Sequence, residues 1–124
     1  MNLLIIFIAG GLGSVARYTM MTAIGRVMGT NFPWHTLGVN LLGALLIGAV
    51  TELLALRTIP TEMARLLLVT GFLGGFTTFS AFSLENALMW QKGDYIQLAV
   101  YIAASVVGTL IAVLCGTAAM KAVL

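Results

Sequence analysis

Apolar residues run nearly unbroken through four windows of this chain, residues 3–28, 37–56, 64–89 and 96–120, joined by short polar connections. About 20 mainly apolar residues cross a bilayer as a helix. Each window therefore predicts a transmembrane helix, and together they fill the chain as one four-helix transmembrane domain. The connections hold Asn31 and Pro33, then Pro60, then Gly93 and Asp94, with both prolines outside the spans, where a helix tolerates them. Trp34, Trp90 and Tyr95 flank the spans, as an aromatic belt does. The first span is expected to be retained rather than cleaved as a signal. No Lys or Arg precedes it, it is too long for a signal core, and Arg17 interrupts it.

The third window differs from the others. It contains Gly71-Phe72-Leu73-Gly74-Gly75-Phe76-Thr77-Thr78-Phe79-Ser80-Ala81-Phe82-Ser83, a run of glycine, threonine and serine inside an apolar stretch. The third helix is expected to break here, near the bilayer midplane. Irregular backbone at that depth is tolerated only where protein buries it or a polar cavity receives it. Discontinuous helices of this kind are pointers to ion or substrate sites, which directs the reading toward transport.

Composition agrees. Of 124 residues, 60% are hydrophobic and 8% charged, against ~25% charged in soluble domains, so the chain reads as an integral protein of the lipid bilayer. The net charge of +2 comes with six scattered basic residues that form no patch for nucleic acid. Cys115, alone in an apolar run, reads as a small packing residue. Lys and Arg set topology, yet here Arg57, Arg65 and Lys121 on one side face Arg26 and Lys92 on the other. That near balance predicts insertion in both orientations. Four helices enclose little space, so a dimer is implied, and two orientations make it an antiparallel, dual-topology homodimer. Its two-fold axis would lie in the membrane plane, the symmetry of inverted repeats.

Several polar residues fall within spans. Arg17 is near the centre of the first, where an arginine costs about 2.5–3.5 kcal/mol on insertion scales and normally marks an ion path. Its plainer alternatives are snorkelling or a structural pair with Glu85. Asn40 shares a face of the second span with Gly43, Ala44 and Gly48. It reads either as a donor on a polar track or as an interhelical hydrogen bond. Tyr101, Ser105 and Thr109 recur every fourth residue and stack three hydroxyls on one face of the fourth span, although such hydroxyls also bond to their own helix. Phe79 and Phe82 adjoin the expected break. They either pack, or turn ring edges, the positive part of the quadrupole, toward a small desolvated anion. Thr77, Thr78, Ser80 and Ser83 would supply hydroxyls beside them. Glu52 and Glu85 lie toward span ends. His35, in the first connection, has no second ligand at metal spacing. Gly11-Leu12-Gly13-Ser14-Val15-Ala16 matches a dinucleotide fingerprint by letter, but the required acid about 20 residues on is missing. No nucleophile–base–acid set stands out, so no enzyme is expected.

Taken together, Gly10-Gly11-Leu12-Gly13-Ser14-Val15-Ala16-Arg17-Tyr18, Thr36-Leu37-Gly38-Val39-Asn40-Leu41-Leu42-Gly43 and the 71–83 run resemble the Fluc-type (CrcB-like) fluoride channels of microbial membranes, over nearly the whole chain. Ala81 departs from the threonine or serine expected there. The resemblance implies a multi-pass protein of the cell inner (cytoplasmic) membrane, an antiparallel homodimer with two pores lined by both subunits, and passive export of fluoride. It places Phe79, Phe82, Asn40, Tyr101, Ser105 and Thr109 on the fluoride pathway and Arg17 in a vestibule, with Thr78, Ser80, Ser83 and Glu85 beside them. It implies a structural sodium ion on the dimer axis, held by the backbone carbonyls of Gly74 and Thr77. Two other readings compete: a small multidrug-type cation exporter, which the basic Arg17 in the first helix opposes, and a structural membrane subunit without activity of its own.

Overall fold

The computed structural model describes residues 1–56 and 61–124. The Pro60 turn and Arg57 of the charge comparison lie outside the described residues. Among the described residues every regular element is helical: α1 (Asn2–Met28), α2 (Trp34–Leu56), α3 (Thr61–Ala64), a π-helical stretch (Arg65–Leu73), α4 (Gly74–Phe76), α5 (Ser80–Lys92) and α6 (Tyr95–Val123). Among the described residues, four segments are long and apolar enough to cross a membrane: α1, α2, α6 and the 31-residue stretch Glu62–Lys92. The protein is thus an all-α, four-span membrane protein.

Helix ends follow local chemistry. α2 starts at Trp34, ahead of the expected Leu37, because the Pro33 carbonyl accepts the Leu37 N–H at 3.1 Å and proline suits a helix start. α5 stops at Gly93, whose left-handed φ of 81° brings its N–H back to the carbonyls of Met89 and Trp90. That conformation carries no Cβ penalty in glycine, and it lets α6 begin two residues later.

Two helix crossings organise the protomer. α2 packs most extensively on α6, and α1 packs on the π-helical stretch and α4. Glycine permits both approaches. A Cβ on Gly48 would strike the Val113 carbonyl, and one on Gly116 would strike that of Leu45. At the other crossing, a Cβ on Gly13 would strike the Phe72 carbonyl and one on Gly75 that of Gly10. Close backbone contact of this kind replaces the hydrophobic driving force that lipid removes. α2 is the most buried of the four spans, while α1 and α6 expose most of their apolar surface. A core of Leu37, Met89 and Tyr101, with Phe32, Leu41 and Phe82 around it, ties α2 to α5 and α6.

Within the third span the backbone changes character twice. From Arg65 to Leu73 it is π-helical over nine residues, wider than an α-helix and longer than the single-turn π-bulges common at functional sites. After Phe76 it leaves helical geometry: Thr77 is extended, with φ −87° and ψ 158°. α5 resumes at Ser80.

Candidate functional site

The non-helical residues 77–79 are held by their neighbours in a definite way. Asn40 on α2 donates from Nδ2 to the Thr78 carbonyl at 2.9 Å, and its Oδ1 accepts the Thr78 N–H, also at 2.9 Å. One side-chain amide therefore satisfies both backbone groups of a residue that has left the helix. The Thr78 hydroxyl accepts the Ala81 N–H at 3.2 Å, covering one of the open donors at the start of α5. Thr77 returns its hydroxyl to the Leu73 carbonyl at 3.0 Å. Gly43 makes room for Thr77, since a Cβ there would overlap the Thr77 methyl. From α1, Arg17 Nη1 reaches the Thr77 carbonyl at 3.4 Å.

Beside this segment lies an open cavity of about 370 Å³ whose wall includes Asn40, Thr78, Phe79, Phe82, Ser105 and Thr109. Gly74 and Thr77 also border it. The structure thus brings six of the expected pathway residues to one groove. Phe79 is 77% exposed on the protomer surface, and its ring lies 5.4 Å from that of Phe82. Phe82 in turn contacts Tyr101 at 5.1 Å between ring centres.

The three stacked hydroxyls of α6 have different fates. Thr109 donates to the Ser105 carbonyl at 2.6 Å, within its own helix. Tyr101 donates to Glu85 Oε1 at 2.7 Å. The buried Ser105 hydroxyl has no partner among the described residues, and its residue borders the groove. Spacing put all three on one face, but the donors are not equally available.

Glu85 anchors a second cluster. Besides Tyr101, Thr36 donates to its Oε2 at 2.7 Å, and His35 Nε2 stands 3.0 Å from the same oxygen. Thr36 and Tyr101 are fully buried, each 0% exposed. Sequence reasoning left His35 isolated in a connection; the structure places it in the first turn of α2, against Glu85. The one hint in the sequence was the carboxylate itself, since ionisable groups within spans pair with one another, but nothing local named His35 as its partner. Arg17 does not pair with Glu85; its guanidinium reaches the Thr77 carbonyl instead. Ser80 sits 3.3 Å from the Thr78 hydroxyl, and Ser83 is exposed on α5; neither lines the groove.

A four-span membrane protein with a largely apolar groove, bearing a few polar groups and opening on an exposed face, is the class that fold and site define. The comparisons with known proteins are more specific. Residues 4–117 match the family described as CrcB-like protein, Camphor Resistance (CrcB), and the chain belongs to that family. A Rhizobium etli (strain CIAT 652) protein named fluoride-specific ion channel FluC is 47% identical over 95% of this chain and 94% of its own length. The chain is also 39% identical to a Rhodopseudomonas palustris (strain BisB5) protein of the same name, over 99% of both. A Rhizobium johnstonii protein, again so named, is 45% identical over 96% of this chain and 95% of itself.

Proposed function

We propose that this chain is a fluoride channel that lets fluoride leave the cytoplasm passively, down its electrochemical gradient. It is a transporter rather than an enzyme. The observation that carries this reading is the groove, where Asn40, Phe79, Phe82 and Ser105 meet in a chain nearly half identical to a relative named for fluoride. Fluoride is small and strongly hydrated, so a selective path must replace its water with donors and ring edges. The free Ser105 hydroxyl is such a donor, and Phe79 and Phe82 supply the rings.

The groove is open and Phe79 is exposed, so one protomer does not enclose a path. We assign the missing wall to a second copy, antiparallel in the cell inner membrane, with two pores along the interface. The interruption at Thr77 and Thr78 then lies near the bilayer midplane. In that arrangement we place a structural sodium ion at the carbonyls of Gly74 and Thr77, the second of which also meets Arg17 Nη1 at 3.4 Å. A continuing helix would direct the Thr78 N–H at the Gly74 carbonyl, but Asn40 takes that N–H instead, and Gly74 is exposed. Such a cation would offset the dipoles of carbonyls gathered at the axis.

Expression in a bacterium deleted for its own fluoride exporter tests the reading. Restored growth in fluoride medium, lost again with Phe79→Ile, is the expected outcome. Continued fluoride sensitivity despite membrane-inserted protein would count against it.

A further inference from the structure

We infer that Arg17 is a cation this chain itself supplies to the broken end of its third span, and that its charge sets how tightly the interruption holds the small cation proposed above. The inference rests on that proposal and adds a residue to it. Gly10, Gly13 and Arg17 fall on one stripe of α1, at the i, i+3, i+7 spacing that shares a helix face. The two glycines let this stripe touch the backbone of the third span, Gly13 at Phe72 and Gly10 at Gly75. One turn further along, the same stripe brings Arg17 Nη1 to 3.4 Å from the Thr77 carbonyl. Thr77 is where the helical run from Arg65 to Phe76 ends. A helix leaves its last carbonyls unpaired, and that end attracts positive charge.

Among the described residues no carboxylate forms an ion pair with Arg17, and Arg17 does not line the groove. A guanidinium is permanently charged, and a charge within a span pairs with an opposite charge or with backbone carbonyls. Arg17 takes the second course. A carbonyl oxygen has two lone pairs, so Thr77 can serve Arg17 and a small cation together. Their two positive charges then repel across one oxygen, and each weakens the other's hold. Gly74, whose carbonyl the Thr78 N–H has left for Asn40, meets no such competitor. Arg17 therefore lowers the affinity of the site through the Thr77 carbonyl, and loss of its charge tightens the site.

The test is the melting temperature of the purified protein in detergent as sodium replaces N-methylglucamine at constant chloride. A ligand held only by the folded state raises it once the ligand exceeds its dissociation constant, and constant ionic strength keeps screening fixed. Arg17→Gln keeps N–H donors for Thr77 and removes the charge, while Arg17→Lys keeps the charge. Glutamine should move the onset of stabilisation to about tenfold lower sodium, the size of one charge–charge interaction at a partly screened site, and lysine should leave it within about threefold of wild type. Equal onsets in wild type and Arg17→Gln, or equal shifts in both variants, would overturn the inference. By reciprocity sodium must loosen Arg17, which wild type reports without any variant. Thr77 is the only threonine followed by another threonine, so isotope labels on threonine carbonyl carbons and amide nitrogens single out its carbonyl in solid-state NMR of the protein in bilayers. Its dipolar coupling to labelled arginine guanidinium nitrogen should be present without sodium and weaken as sodium is added. No coupling without sodium, or a coupling unchanged at sodium levels that stabilise the protein, would also overturn the inference. Stability indifferent to sodium in wild type and both variants would instead remove the axial ion on which it rests.

Discussion

Replacing Asn40 with alanine tests how the interruption in the third span is maintained. Asn40 makes two bonds of 2.9 Å to the backbone of Thr78, and Thr78 is only 8% exposed. Without the amide, an N–H and a C=O remain buried and unpaired, at about 1–3 kcal/mol each. Part of this is recoverable, because the Thr78 N–H can turn to the Gly74 carbonyl if the segment reverts to helix. Interhelical hydrogen bonds in membranes average only ~0.6 kcal/mol, since separated helices find other partners. That average concerns side chains between intact helices, whereas Asn40 serves backbone groups that have no helical partner. The larger effect should win, for a net loss of about 2 kcal/mol. Reversible unfolding in mixed detergent micelles, followed by circular dichroism, measures it. A loss under about 0.5 kcal/mol, within the range of an ordinary surface substitution, would show that Thr78 does not depend on Asn40 and would refute the reasoning.

Other substitutions separate packing from permeation. Phe79→Ile should sharply lower fluoride flux while leaving the packing within one protomer intact, because in the protomer its ring is 77% exposed; Phe82→Ile should lower flux and also cost about 1 kcal/mol in detergent unfolding, because it packs on Tyr101. Gly116→Val should destabilise the protein by about 1–3 kcal/mol, since its Cβ meets the Leu45 backbone, whereas Gly108→Ala meets only the end of the Leu41 side chain and should be far milder in the same assay. Tyr101→Phe removes a donor from Glu85 and should cost about 1.5–3 kcal/mol, as expected for a hydrogen bond to a charged group; an unfolding midpoint equal to wild type would show that Thr36 and His35 suffice to hold the carboxylate.

The four spans were legible because a helix in lipid must satisfy its own backbone and cover itself with apolar side chains, which leaves an unmistakable run of residues. Their exact ends were less so. The start of α2 at Trp34 depends on a carbonyl bond from Pro33, which hydropathy does not register. The glycine–threonine–serine run pointed to the unusual backbone at Thr77, but the preceding π-helical stretch left no distinct mark in residues 65–73, where Arg65, Thr70 and Gly71 sit among apolar residues as they could in an ordinary helix. In the site, spacing put Tyr101, Ser105 and Thr109 on one face, yet only coordinates reveal that Thr109 bonds to its own helix and Tyr101 to Glu85. His35 was missed for a related reason. Its partner lies 50 positions away on α5, and no local pattern joins a histidine to a distant acid.

Fluoride release from liposomes carrying the purified protein, read with a fluoride electrode beside a matched chloride experiment, tests the central claim most directly. Rapid fluoride efflux with negligible chloride efflux is the predicted result. A well-folded protein that releases neither ion, or releases both equally, would contradict the account.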